Sequence, residues 1–325
     1  MRVDDRASDR PMTLDPIMQA FLDRMAAQDG PKIHDLPPPE ARLRFAALMA
    51  LAGPKDVAIG KVVNLACPGP AGAIPLRNYT PVAAPSEALP TLVFYHGGGF
   101  VIGSLDTHDG LCRMIANEAG VRVVAVDYHL APEHKFPAAV EDAFAALEFV
   151  EANAAELGVD ANRIAVGGDS SGGALAAVVT QRARDEAGPA LAFQLLFFPV
   201  TQIGRETPSL GKFAKDAFLE RATLEWFFAH YLPADADKSD PRISPLAAAS
   251  HAKLPPAYLM TAECDLLRDE GLLYAQTLKA AGVAVEVSDH PGLVHDFIYF
   301  QTVLPQAEAA LKHASQALKT ALAAE

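Results

Sequence analysis

Apolar residues recur along this chain in two rhythms. At Ile17, Met18, Phe21, Leu22 and Met25 they return every three or four positions, the spacing of one helical face. Asp15-Pro16 just before them supplies a cap followed by proline at the first helical position. A second helical stretch follows Pro37-Pro38-Pro39, with its apolar face running through Leu43, Ala47, Leu48 and Leu51. From Val57 onward, short apolar runs read as strands: Val57–Val63, Ile74–Tyr79, Thr91–Tyr95, Val121–Asp127, Arg163–Gly167, Leu191–Phe198, Ala257–Ala262 and Val283–Ser288. Helical stretches at Ala138–Ala155, Gly173–Glu186 and Glu270–Ala281 separate most of the later ones. Such alternation predicts an α/β fold, a mainly parallel central sheet of about eight strands flanked by helices. The two leading helices, within residues 1–52, precede any strand and read as an appendage over a main domain spanning 53–325.

Residues 203–232 break the alternation. They gather Phe213, Phe218, Leu219, Trp226, Phe227, Phe228 and Tyr231, and fit either a lid or pocket wall or an ordinary helix packing its aromatics inward.

Composition narrows the field of partners. The 325 residues carry a net charge of −13 and no basic cluster that could follow a phosphate backbone, so nucleic acid is not an expected partner. No run approaches the roughly 18 apolar residues of a membrane span. The first residues, MRVDDRASDRPM, are charged and lack the apolar stretch of a secretory signal. Residues 1–11 are read as disordered, with Met12 as an alternative start. Cys67, Cys112 and Cys264 are widely spaced and without CxxC pairing, as expected for small apolar fillers in a reducing, cytoplasmic setting.

Two glycine clusters carry the candidate chemistry. Gly168-Asp169-Ser170-Ser171-Gly172 lies between an apolar strand run and an alanine-rich helix, and fits G-x-S-x-G, the sharp turn that presents a serine hydroxyl outward. His96-Gly97-Gly98-Gly99-Phe100 follows another strand, where backbone N–H groups unshielded by side chains can converge on one point. An acyl-transfer enzyme needs both, because a carbonyl oxygen that turns negative must meet preorganised donors. A serine hydroxyl also needs a base, and the base an orienting acid, in the chain order Ser, Asp or Glu, His. For the base, His295 is favoured over His290; for the acid, Asp265, just past a strand end, over Glu263 and Asp269. Asp269 and Glu270 read as charges at a helix N-terminus.

The chain resembles bacterial members of the hormone-sensitive lipase family of α/β-hydrolases, from about Leu14 to the C-terminus. The matching pieces are HGGGF at 96–100, DTHD at 106–109, VDYHLAPEHKFPAA at 126–139, GGDSSGGALA at 167–176, DPRISPL at 240–246, TAECDLLRDEG at 261–271 and GLVHDF at 292–297. The resemblance implies an α/β-hydrolase fold with a helical cap formed by the N-terminal helices and the insertion at about 203–232. It implies Ser170 as nucleophile, His295 as general base and acid, Asp265 as its orienting group, and an oxyanion hole from the backbone of Gly98, Gly99 and Ser171. His96 would shape the loop, and Tyr128–Glu133 would brace it. The expected activity is that of a serine carboxylesterase acting on small-molecule esters of short to medium chain length, with no metal or organic cofactor. Relatives are often homodimers, though no feature here establishes an interface. Two other readings share the machinery: cleavage of an amide, lactone or peptide, and a non-catalytic binding protein such as the related plant gibberellin receptors, which lose part of the triad. Here all three triad positions are filled.

Three positions depart from the family pattern. Ser171 replaces the usual alanine, Leu266 the usual proline, which would loosen its turn, and Asp296 the usual glycine after the histidine. A carboxylate at 296 that approaches the imidazole would favour protonated His295; turned to solvent or capping the next helix, it would not.

Overall fold

The computed structural model describes residues 14–27, 30–84, 88–215 and 217–323. The expectations for residues 1–11 and Met12 therefore lie outside the described residues. In chain order the main elements are α1 (Pro16–Ala26), α2 (Pro38–Ala52), β1 (Lys61–Gly69), β2 (Gly72–Thr80), β3 (Leu89–Tyr95), α3 (Asp109–Ala119), β4 (Arg122–Val126), α4 (Ala138–Ala152), α5 (Ala154–Leu157), β5 (Val159–Asp169) and α6 (Ser171–Asp185). There follow β6 (Phe193–Phe197), α7 (Pro208–Lys212), α8 (Arg221–Tyr231), β7 (Ala257–Cys264), α9 (Arg268–Ala280), β8 (Val285–Val294) and α10 (Pro305–Ala321).

The strands form one sheet in the order β1-β2-β4-β3-β5-β6-β7-β8, in which only β2 runs against the rest. Helices cover both faces, which is why the central strands read as unbroken apolar runs: every residue of β4 and of β6 is buried. Helix α6 packs on β5 and β6 and against α4. Its alanines let it sit close, and most of its length is buried. Cys67, Cys112 and Cys264 are free and buried. Among the described residues, no helix is long and apolar enough to cross a membrane.

Three sequence expectations shift. The first strand begins at Lys61, not Val57, and runs to Gly69; as a sheet edge it is only partly covered, so its apolar signal is weak. The helix expected over Ala138–Ala155 breaks at Asn153 into α4 and α5. Helix α2 turns a different face inward from the one the sequence suggested. Ala41, Phe45, Met49 and Ala52 are buried, while Leu43 and Leu51 are 73% and 69% exposed. The start of α1 is as read: Asp15 accepts hydrogen bonds from the Ile17 and Met18 N–H groups, and Pro16 opens the helix.

Candidate active site

The glycine loop and the three residues favoured for the triad each stand just beyond the carboxyl end of a parallel strand. His96–Gly99 follow β3, Ser170 follows β5, Asp265 follows β7 and His295 follows β8. Parallel strands end on one side of the sheet, so residues far apart in sequence are delivered to one edge.

Ser170 sits in a strained turn with φ 54° and ψ −117°. Its N–H donates to the Phe197 carbonyl at 2.8 Å, and its carbonyl accepts from Val200 N–H at 3.1 Å. The elbow is tight because a Cβ on Gly168 or Gly172 would strike the Tyr95 carbonyl. Ser170 Oγ lies 3.0 Å from His295 Nε2, and His295 Nδ1 lies 2.7 Å from Asp265 Oδ2. Asp265 is fixed in turn by Leu267 N–H, which donates to Oδ1 at 2.9 Å. Leu266 therefore leaves that turn hydrogen-bonded, and its carbonyl also accepts from the Ser209 hydroxyl. His290 pairs with Ser288 at 3.0 Å and is absent from the cluster.

The glycine loop approaches the same serine. Gly98 and Gly99 have φ of 117° and 60°, and a Cβ on Gly99 would enter the Phe227 ring. Ser171 opens α6, where the first N–H groups have no intrahelical acceptor. Its own hydroxyl is fully buried and accepts from Phe100 N–H at 3.3 Å, so it ties the loop to the elbow. Asp169 adds a second tie, accepting from Gly97 N–H at 3.0 Å. Tyr128 stacks on His96 at 4.4 Å between ring centroids and donates to the His96 carbonyl at 2.7 Å. Burial, with His108 nearby, holds the His96 imidazole down at about 3, so it stays neutral.

Several contributors escaped the sequence reading. Arg42 of α2 donates to the Val101 and Ala131 carbonyls and pairs with Glu133, linking the leading helices to the glycine loop. His108 Nε2 stands 3.4 Å from Asp169 Oδ2. Glu263, considered as the acid, accepts from Gly292 N–H at 2.7 Å and so anchors the approach to His295. Asp269 and Glu270 do lie in the first turn of α9, but they reach across to other segments. Asp269 accepts from Ser209 N–H, and Glu270 is buried and accepts from the N–H groups of Thr201 and Gln202 just after Val200. Burial pushes the Glu270 carboxyl up to about 8 despite those donors.

Asp296 neither points to solvent nor caps the following turn through its side chain. It is 9% exposed, has φ 59°, and places Oδ1 3.5 Å from His295 Nε2. Burial alone would push the imidazole down, but the carboxylates of Asp265 and Asp296 outweigh it and bring His295 up to about 9. Burial likewise raises the Asp296 carboxyl to about 6, against the pull of His295.

Residues 92–299 match the family described as alpha/beta hydrolase fold. The chain belongs to the α/β-hydrolase family. Within it, the relatives place this α/β-hydrolase in the hormone-sensitive lipase branch that its motifs resemble. It is 45% identical over 295 residues to the carboxylic ester hydrolase LipN of Mycobacterium tuberculosis, covering 88% of this chain and 77% of LipN. It is 38% identical over 317 residues to the ethyl acetate hydrolase of Pseudomonas putida, covering 95% and 99%. Among solved structures, an ester hydrolase from the Lake Arreo metagenome, complexed with a bipyridine phosphonate derivative, superposes with a TM-score of 0.93 at 40% identity, covering 95% and 99%.

The cavity over Ser170 in this α/β-hydrolase measures about 670 Å³. Gly98, Gly99, Ser170, His295 and Asp296 form its floor, and Phe21, Phe45, Leu48, Phe218, Leu224 and Phe227 are among its walls. Those walls come from α1, α2, α8 and the segment before α8. Both the leading helices and the aromatic insertion thus face Ser170.

Proposed function

We propose that this carboxylic ester hydrolase cleaves short- to medium-chain acyl esters through an acyl-enzyme on Ser170. The observation that carries the reading is the continuous relay from Ser170 Oγ to His295 to Asp265, at 3.0 and 2.7 Å, opening into an apolar cavity. His295 takes the serine proton as Oγ attacks the ester carbonyl, then gives it to the departing alcohol. The backbone N–H groups of Gly98, Gly99 and Ser171 receive the oxyanion. Water then repeats the sequence on the acyl-enzyme. A walled cavity within the usual 300–1,000 Å³ of small-molecule sites favours modest acyl groups over long chains. The buried free thiols suit a reducing cytoplasm.

A panel of p-nitrophenyl esters from acetate to palmitate, run beside matched p-nitroanilides, tests the substrate class. Release is expected to be fastest on the shorter esters and far slower on the anilides; a maximum at palmitate, or anilides cleaved as fast, would overturn the assignment.

The base carries its own pH signature. His295 must be neutral to accept a proton, so kcat/KM rises with pH through the imidazole pKa. Asp265, Asp296 and, farther off, Asp169 all favour the protonated ring. The acid limb is therefore expected above the ordinary histidine value of about 6.5. Asp296→Gly removes one of those charges and should move the limb down by about one pH unit. A kcat/KM profile against pH, superposable for the two proteins, would show that Asp296 does not act on His295.

A further inference from the structure

The chain holds a carboxylate where its backbone favours glycine. Asp296 adopts a left-handed conformation with φ 59°, which glycine takes without steric cost and aspartate tolerates at some strain. Its Oδ1 is buried without a hydrogen-bond partner, 3.5 Å from His295 Nε2. The remaining open part of the side chain, 12% of its surface, borders the cavity beside Ser170 and His295. Oδ1 itself is closed to solvent, so what the cavity meets is the rest of the carboxylate, beside the atom that must activate the second nucleophile.

We propose that Asp296 positions the water that attacks the acyl-enzyme and thereby makes this site select water over alcohols. This rests on the acyl-enzyme mechanism proposed above. Once the first alcohol has left, neutral His295 presents Nε2 as one acceptor and Asp296 presents its carboxylate as a second. Two adjacent acceptors match the two O–H groups of a water molecule. An ordered water needs two or more polar partners, and this corner supplies them. One O–H donates to Nε2 and the other to the carboxylate, which holds the oxygen beside the acyl carbon.

As the new C–O bond forms, Nε2 takes the first proton and the carbonyl electrons move onto the oxyanion. The second hydrogen stays on the attacking oxygen, held by Asp296. Collapse of the intermediate breaks the Ser170 Oγ–C bond, and the proton on Nε2 passes to Oγ. The acid and the free serine result. An alcohol has a single O–H, which Nε2 requires. Its alkyl group then faces the carboxylate, covering a charged acceptor without pairing with it.

The corner therefore discriminates by hydrogen count as well as by size. In its ionised form Asp296 receives a charge-assisted hydrogen bond, the strong kind, from water alone. Glycine at this position would leave alcohol and water on more equal terms. The acyl group does not enter this argument, and an alcohol leaving from an ester passes the same corner in reverse, so the p-nitrophenyl leaving group is chosen to keep acylation apart from the competition between water and alcohol.

The test is the partition of one acyl-enzyme between two nucleophiles. Wild type, Asp296→Gly and Asp296→Asn are given p-nitrophenyl butyrate at neutral pH with increasing methanol, and butyrate and methyl butyrate are quantified while p-nitrophenol release is followed. Both substitutions suit a left-handed backbone, and Asn keeps the side-chain volume while replacing a charged acceptor by an amide. The ratio of methyl ester to acid at fixed methanol is expected to rise about tenfold in Asp296→Gly and by a smaller factor, about threefold, in Asp296→Asn. An unchanged ratio in both variants overturns the proposal. So does a rise confined to Asp296→Gly, which would assign the effect to added room. Absence of p-nitrophenol release from the wild type would instead remove the acyl-enzyme reading beneath it.

Discussion

Ser170→Ala is expected to lower kcat on p-nitrophenyl acetate by about a millionfold. In the proposed mechanism the substitution deletes the atom that forms the acyl-enzyme and leaves the oxyanion donors and cavity in place, so some acceleration over water survives. The neighbouring hydroxyl offers no replacement. Ser171 Oγ is fully buried and engaged with Phe100 N–H, on the loop side of the elbow. Folding should change little, because the elbow is held by main-chain bonds, from Ser170 N–H to the Phe197 carbonyl and from Val200 N–H to the Ser170 carbonyl, and not by the side chain. One hydrogen bond to His295 is lost, worth about 1 kcal/mol. Parallel measurement of p-nitrophenol release and thermal unfolding separates the two effects. A stable variant that still turns over would remove Ser170 from the role of nucleophile.

What could be read in the sequence follows from how local each constraint is. The elbow and the glycine loop are written in contiguous residues, because a tight strand-to-helix turn excludes side chains at Gly168 and Gly172 whatever the rest of the chain does. Asp265 and His295 were findable because parallel strands deliver their carboxyl ends to one edge, so position after a strand is itself information. Helix α2 misled because it is apolar on more than one side. Phe45 and Met49 enter the core, Leu48 and Leu51 border the cavity, and Leu43 meets solvent, so periodicity could not choose the inward face. The first strand was misplaced for the opposite reason, since a half-covered edge leaves little apolar pattern to detect.

Other roles depended on partners that only the fold supplies. Glu270 looked like an ordinary charge in a helical first turn, yet it is buried and holds the backbone of Thr201 and Gln202. The His108–Asp169 and Arg42–Glu133 contacts join segments 61 and 91 residues apart, beyond any local signal. Asp296 could be flagged as an unusual residue, but whether its carboxylate turned toward the imidazole depended on the left-handed backbone at that position.

The acid of the relay should be nearly as sensitive as the nucleophile. Asp265→Asn is expected to reduce kcat by about ten-thousandfold while leaving the fold intact. The carboxylate now accepts from His295 Nδ1 at 2.7 Å and from Leu267 N–H at 2.9 Å. Asparagine can keep the second bond through its oxygen, and it then turns its NH₂ toward Nδ1. The imidazole must accept there, which moves its proton to Nε2, facing Ser170. A protonated Nε2 cannot take the serine proton, so the relay is blocked by tautomer and not by distance. Removing the carboxylate also withdraws a main support for the imidazolium, so the acid limb of the pH profile should fall. These two effects can be told apart by raising the pH. If Asp265 served only to tune the imidazole pKa, the variant would match wild type once His295 is neutral in both. If it fixes the tautomer, as proposed, the deficit in kcat persists across the alkaline plateau, and a full recovery there would refute the assigned role.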